Sequence, residues 1–445
     1  MSTARLTVLG LTIVLSITLL APALADAPVA PLRDDDFETH SLAKRMLGRS
    51  LFYDPVLSGS YRVSCASCHN HDRASSNGFP LQAQADYEPD RAALPDISRY
   101  QRLKPSARHA PVLFNLGHQS FTHMFSDGRV FIDAKGRLVT PVGDNLPPSL
   151  DSVLAAQALF PAVTADELVG TVESGLTAEA RAALDQGSRS NSAASQSLAI
   201  WTALAKRVDA LEVYRTLFDA AYPDRTGPVT ITQIANAIGA FVSTEWRADR
   251  SPFDTFLRGD SGALSSAAKR GEALFRGKAG CADCHAGALQ SDQQFYAVAT
   301  PLWPHTITAD AEPERLDDVL IGRQNATGQD KDRFRFKTPS LRNVARTAPY
   351  GHAGSHKTLD GFLRGHLDPE AALNSFVEEK FGYTPPAQVA RLVSQLLERN
   401  QLAPVRLDTQ DFSDLLAFLE TLTDPDSLAG RLGKPEDVPS NLAIE

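Results

Sequence analysis

Apolar residues along this chain recur at helical intervals, and alternating strand-like patterns are scarce. Leu42, Met46, Leu47 and Leu51 share one face of a 3.6-residue period, and Ala267, Leu274 and Phe275 follow it less perfectly. Residues 198–222 (LAIWTALAKRVDALEVYRTLFDAAY) and 231–246 (ITQIANAIGAFVSTEW) read as two further helices, divided by the turn PDRTGP. The Ser-, Ala- and Gly-rich stretch at 175–195 reads as a loop. The pattern therefore predicts a mainly α fold.

One apolar run is of another kind. LTVLGLTIVLSITLLAPALA follows Arg5 and ends in the small-residue pattern Ala23-Leu24-Ala25, which predicts a signal peptide over 1–25, cleaved before Asp26. No later stretch approaches the roughly 18 consecutive apolar residues that a membrane span requires. Cleavage leaves a periplasmic chain of about 420 residues, long enough for two or three domains. Its net charge of about minus ten argues against a nucleic-acid partner and suits a basic redox partner.

Cysteine usage narrows the chemistry. The chain has four cysteines, Cys65 and Cys68 in SCASCHNH and Cys281 and Cys284 in AGCADCHAG, and each pair is followed directly by a histidine, His69 or His285. A thioredoxin-type pair needs no trailing histidine, and a four-cysteine zinc site leaves both histidines unexplained. C-x-x-C-H is the spacing of a c-type haem, in which two thiols add to the vinyl groups and the next imidazole binds the iron. Such haems are attached outside the cytoplasm, in agreement with the signal peptide.

The lead-in to each motif repeats. AKRMLGRSLFYDP precedes the first and AAKRGEALFRGKAG the second, each with Lys-Arg, a glycine and a Leu-Phe pair. Two such units predict two cytochrome c-type domains, each with one covalent haem, at 26–250 and 251–445. The only methionines are Met1, Met46 and Met124. The C-terminal haem therefore cannot draw the common His/Met ligation from its own domain.

The chain resembles the bacterial di-haem cytochrome c peroxidases, a family that includes the MauG type. The likeness runs from about residue 40 to 425, through LGRSLFYDPVLSG, RHAPVLFNLG, the DGR at 127–129, QALFP at 157–161, KRGEALF, FKTPSLRNVARTAPYGHAG and TLDGFL. The resemblance implies an open N-terminal haem iron overhung by Gln157, which orients water or peroxide, and Glu167, the acid/base. It also implies that His366, in RGHLDP, stands where the family places the sixth ligand of the C-terminal haem, methionine in typical peroxidases and tyrosine in the MauG type. Imidazole there lowers the potential relative to methionine. A calcium ion between the domains is implied as well, on Asn115 and the carbonyls of Thr347 and Pro349.

His352 matches a family landmark with a role in packing or hydrogen bonding. His71, His109, His118, His123 and Met124 are open candidates for a displaceable ligand at the N-terminal iron. One position departs from the family pattern: the tryptophan before DGR, which relays electrons between the haems, is Ser126 here, and Trp201, Trp246 and Trp303 lie elsewhere. The expected activity is reduction of hydrogen peroxide at the N-terminal haem, with electrons from a small protein such as a cytochrome c or cupredoxin entering through the C-terminal haem. The alternatives are a MauG-like oxidase of a partner protein and a di-haem electron carrier without enzymatic activity.

Overall fold

The computed structural model describes residues 29–80, 108–169, 193–303 and 321–444, with Ala178 and Ala182. The expected signal segment, most of the expected loop at 175–195, and His305 lie outside the described residues. Helices dominate, as the apolar spacing predicts. Among the described residues no helix is long and apolar enough to cross a membrane.

The N-terminal half contains α1 (Leu42–Tyr53), the short β1 (His123–Met124), β2 (Val130–Ile132) and β3 (Leu138–Val139), then α2 (Val153–Ala158), α3 (Ala193–Asp209), α4 (Glu212–Ala221) and α5 (Ile231–Glu245). The strands form an antiparallel sheet in the order β1-β2-β3, with Phe131 opposite both His123 and Val139. Ser41 caps α1 by accepting the Lys44 N–H at 3.2 Å, and Thr230 caps α5 with Gln233 in a reciprocal box. The continuous helix expected over 198–222 is broken at Ala210 and Leu211 although neither glycine nor proline is present. Two contacts hold the break: the Asp209 carboxylate accepts the Val229 N–H at 2.9 Å, and the Arg215 guanidinium donates to the Asp209 carbonyl at 2.6 Å.

The C-terminal half contains α6 (Pro252–Leu257), α7 (Ser266–Arg276), β4 (Phe295–Ala297), β5 (Arg335–Lys337), α8 (Leu359–Leu367), α9 (Pro369–Phe381), α10 (Ala387–Arg399) and α11 (Thr409–Glu420). Phe253, Phe275, Leu415 and Phe418 centre one core there, and Trp303, Leu373, Phe381 and Leu392 a second.

The repeated lead-in has a structural cause. α1 lies on α5, and α7 on α11. At each crossing stands the repeat's glycine: a β-carbon on Gly48 would meet the Ala237 carbonyl oxygen at 1.9 Å, and one on Gly271 the Asp414 carbonyl oxygen at 1.9 Å. The Leu-Phe pairs then enter the two cores, where Leu51 and Phe52 match Phe275 and its partly exposed neighbour Leu274.

The last residues do not stay with the half in which the sequence pattern groups them. Past α11 the chain forms α12 (Pro425–Ala429) and crosses back to the N-terminal half. Val438 is buried in that half's core, the Ser440 hydroxyl donates to Asp54 at 2.6 Å, and the Leu432 N–H donates to the buried Glu245 carboxylate at 2.6 Å. Past Ala429 the chain thus packs against the first half.

Candidate functional site: two histidine-bearing crevices

Each C-x-x-C-H motif folds into a tight turn that returns the histidine toward its own first cysteine. The His69 N–H donates to the Cys65 carbonyl at 2.9 Å, and the His285 N–H to the Cys281 carbonyl at 2.8 Å. Both rings are oriented alike: Nδ1 of His69 lies 3.0 Å from the Ser75 carbonyl and Nδ1 of His285 lies 3.1 Å from the Gln290 carbonyl. A carbonyl can only accept, so Nδ1 carries the proton and Nε2 is left bare, the form that an axial ligand requires. Burial lowers the pKa of both rings, which keeps them neutral.

The four thiols form no disulfide, and burial pushes Cys65 and Cys281 up to about 12. Burial thus disfavours the thiolate form of both. Among the described residues no three of His, Cys, Asp and Glu gather as a metal cluster. The two pairs belong to separate halves, so a shared four-cysteine site does not form.

Across from the second motif stands another imidazole. α8 begins at its Thr358 cap and carries His366 in its last turn. The His285 and His366 ring centres are 6.5 Å apart with planes at 64°. Two imidazoles on opposite sides of one metal ion have centres roughly 6 Å apart, since each metal–nitrogen bond is about 2 Å long and each ring nitrogen sits about 1 Å from its ring centre. Phe362 stacks on His366 at 5.4 Å, and burial lowers the pKa of His366 to about 4. Nδ1 of His366 is buried without a partner.

The first crevice differs. Phe52 lies 6.5 Å from the His69 ring, and among the described residues no second imidazole faces it as His366 faces His285. Met124 is 1% exposed and belongs to the hydrophobic core. His71 donates from Nε2 to the Ala429 carbonyl at 2.8 Å, His118 accepts from Ser120, and His123 stacks on Phe131. These contacts give the three rings structural work elsewhere.

Gln157 is half-buried at the end of α2, whose Ser152 cap accepts the Ala155 N–H at 3.1 Å. Glu167 interrupts a helical turn with φ −121° and ψ −107°. The next residue, Leu168, accepts the Gly59 N–H at 2.8 Å, which ties this turn to the segment leading into the first motif. Glu167 is close enough for its charge to help raise the Cys65 pKa.

Asn115 adopts φ 58°, and its amide pairs fully with the Ala248 backbone: Nδ2 donates to the carbonyl at 2.9 Å and Oδ1 accepts the N–H at 2.7 Å. Asn343 repeats the arrangement at φ 60°, with Oδ1 accepting the Asp424 N–H at 2.7 Å and Nδ2 donating to Ser427 at 2.8 Å. Asn115 is thus one of two corresponding locks between a haem-site loop and the end of a core helix. Pro111-x-Leu113-x-Asn115 and Pro339-x-Leu341-x-Asn343 are the sequence signal that exposes the pair. Thr347 and Pro349 lie in the loop after Asn343.

Ser126 sits where the halves meet, its carbonyl accepting the Lys337 N–H at 2.8 Å. The tryptophans pack elsewhere: Trp201 edges onto Phe160, Trp246 onto Phe241 and Trp303 onto Phe381. The sequence pattern does not single out Arg108 as a functional residue. Its guanidinium crosses from the first half to donate to Nδ1 of His352 at 3.1 Å.

Known proteins place this arrangement. A family model described as di-haem cytochrome c peroxidase matches residues 42–262. The cytochrome-c peroxidase IdrP2 of Pseudomonas sp. strain SCT is 24% identical over 98% of this chain and 96% of its own. The methylamine utilization protein MauG of Methylorubrum extorquens is 28% identical over 85% of this chain and 78% of its own. Among solved structures, a MauG-like protein associated with microbial copper homeostasis superposes with a TM-score of 0.57 at 24% identity, over 91% of this chain and 95% of that one. The diheme peroxidase BthA of Burkholderia thailandensis gives 0.55 at 21%, over 92% and 91%; at such identities these two likenesses concern the fold. With two similarly oriented histidines, each behind a C-x-x-C pair, and the family's sequence pattern around them, the chain belongs to the di-haem cytochrome c peroxidase family, a family of oxidoreductases.

Proposed function

We propose that the protein reduces hydrogen peroxide at the crevice of Cys65, Cys68 and His69, with electrons supplied by a small redox protein, a cytochrome c or cupredoxin, through the crevice of Cys281, Cys284, His285 and His366. One observation carries the reading: an imidazole stands 6.5 Å across from His285, whereas His69 has no such partner among the described residues. The bound haems supply the redox chemistry. The protein's own share is protonic and positional, because reduction of H2O2 to two waters consumes two electrons and two protons. Glu167 holds and delivers a proton beside the first motif, and Gln157 orients the oxygen species. Cleavage after residue 25 places the mature chain in the periplasm.

Expected are two haems in a pyridine haemochrome assay, one high-spin and one low-spin ferric signal, and peroxide-dependent oxidation of reduced cytochrome c. Two low-spin signals without turnover would instead mark an electron carrier. A second reading, a MauG-like oxidase of a partner protein, is favoured by the absence of methionine after Met124, and peroxide-driven modification of a partner without cytochrome c turnover would select it. A calcium ion on Asn115 with the Thr347 and Pro349 carbonyls belongs to the proposal. It must share Oδ1 of Asn115 with the Ala248 N–H.

A further inference from the structure

Where the halves meet, cations outnumber their partners. Asp127, 6% exposed, pairs with Arg129 at 2.9 Å, and its charge is also felt by Arg108, Lys337 and Arg323, the last of which has Asp332 as well. Lys337 donates to the His123 carbonyl at 2.7 Å, so its hydrogen bonding is partly met. Arg108 reaches across the seam to His352, and both lie on Phe336, the guanidinium 4.8 Å and the imidazole 4.1 Å from its ring centre. Burial lowers the pKa of Arg108 to about 10 and that of His352 well below the ordinary range.

The hydrogen-bond roles in this pair are forced. A guanidinium can only donate, so Nδ1 of His352 accepts and the single proton of the neutral ring is on Nε2. That Nε2–H is buried and has no acceptor, and Nδ1 of the neighbouring His109 is buried without a partner as well. A buried donor without an acceptor has lost its water and gained nothing in return. Buried cations beside such a donor match an anion with several acceptor oxygens, and a carboxylate has that chemistry. His352 also lies within the electrostatic reach of His366.

We propose that Arg108, His109 and His352 form a seat for the carboxylate groups of the haem held between His285 and His366, so that the N-terminal half completes the C-terminal site. This rests on the two-haem reading above. The seat gives the halves a shared ligand contact at the seam, where position 126 carries only serine.

The test compares Arg108→Gln, Arg108→Lys and His352→Phe, the last of which preserves a ring against Phe336. Haem content by pyridine haemochrome comes first: a wild-type protein without two haems overturns the earlier reading and this one with it. With two haems present, spectroelectrochemistry of the low-spin haem decides. Less neutralised carboxylates favour the ferric state, so Arg108→Gln and His352→Phe should each lower the ferrous-to-ferric ratio at a given potential roughly tenfold, about 59 mV for one electron. Arg108→Lys should retain most of the wild-type value. Wild-type potentials in both Arg108→Gln and His352→Phe overturn the proposal, and His352→Phe decides alone if Arg108→Gln does not fold. A wild-type melting temperature that rises with added formate, with no such rise in His352→Phe, overturns the haem assignment in favour of a free carboxylate from solution.

Discussion

Gly48 and Gly271 sit at corresponding helix crossings, Asn115 and Asn343 each accept a backbone N–H from beyond a core helix, and His69 and His285 point Nδ1 at corresponding carbonyls. The halves part at two places. Phe114 is buried in apolar surroundings, whereas its counterpart Arg342 forms a buried ion pair with Asp254 at 2.5 Å and donates to the Ala288 carbonyl, fixing the loop behind His285. His366 stands across from His285 at 6.5 Å, while the first motif has Glu167 close enough to act on Cys65. On the proposed reading one scaffold holds two equally oriented axial ligands, and the group placed opposite decides whether a site is saturated or open. On that reading, saturation suits electron transfer and openness suits peroxide.

The largest effect that would break this contrast is expected at Glu167. Glu167→Gln should reduce peroxide turnover by about a hundred- to ten-thousand-fold with both haems retained; wild-type turnover would remove the acid/base role. His366→Ala should convert the low-spin site to high-spin, erasing the main difference between the crevices, and His366→Met should raise the potential of that haem. A low-spin spectrum unchanged in His366→Ala would mean that another residue closes the site.

The shared frame can be tested by paired substitutions. Gly48→Ala and Gly271→Ala should each destabilise the protein by about 1–3 kcal/mol, because a methyl group placed against a backbone carbonyl pushes the helices apart. Thermal denaturation of the two variants compares the crossings directly, and unequal losses would mean that one half tolerates helix separation better. The smallest effect is expected at the seam. Ser126→Trp should accelerate electron transfer between the haems in stopped-flow mixing of the reduced protein with peroxide, and an unchanged rate would place the route elsewhere.

Residue identity alone determined the haem motifs, the helical class and the duplicated lead-in, because covalent attachment, helical periodicity and a glycine at a close crossing each need particular side chains at fixed local spacing. The resemblance to the family pattern made His366 visible by position. Its place across from His285 depended on tertiary structure, since only the packing of α8 brings it 6.5 Å from His285, 81 residues earlier in the chain. The return of the chain past Ala429 to the first half and the engagement of Asn115 by Ala248 were also decided by long-range contacts. Arg108 and His352 are 244 residues apart. No local pattern records that they meet, because a hydrogen bond depends on separation in space and is blind to separation along the chain.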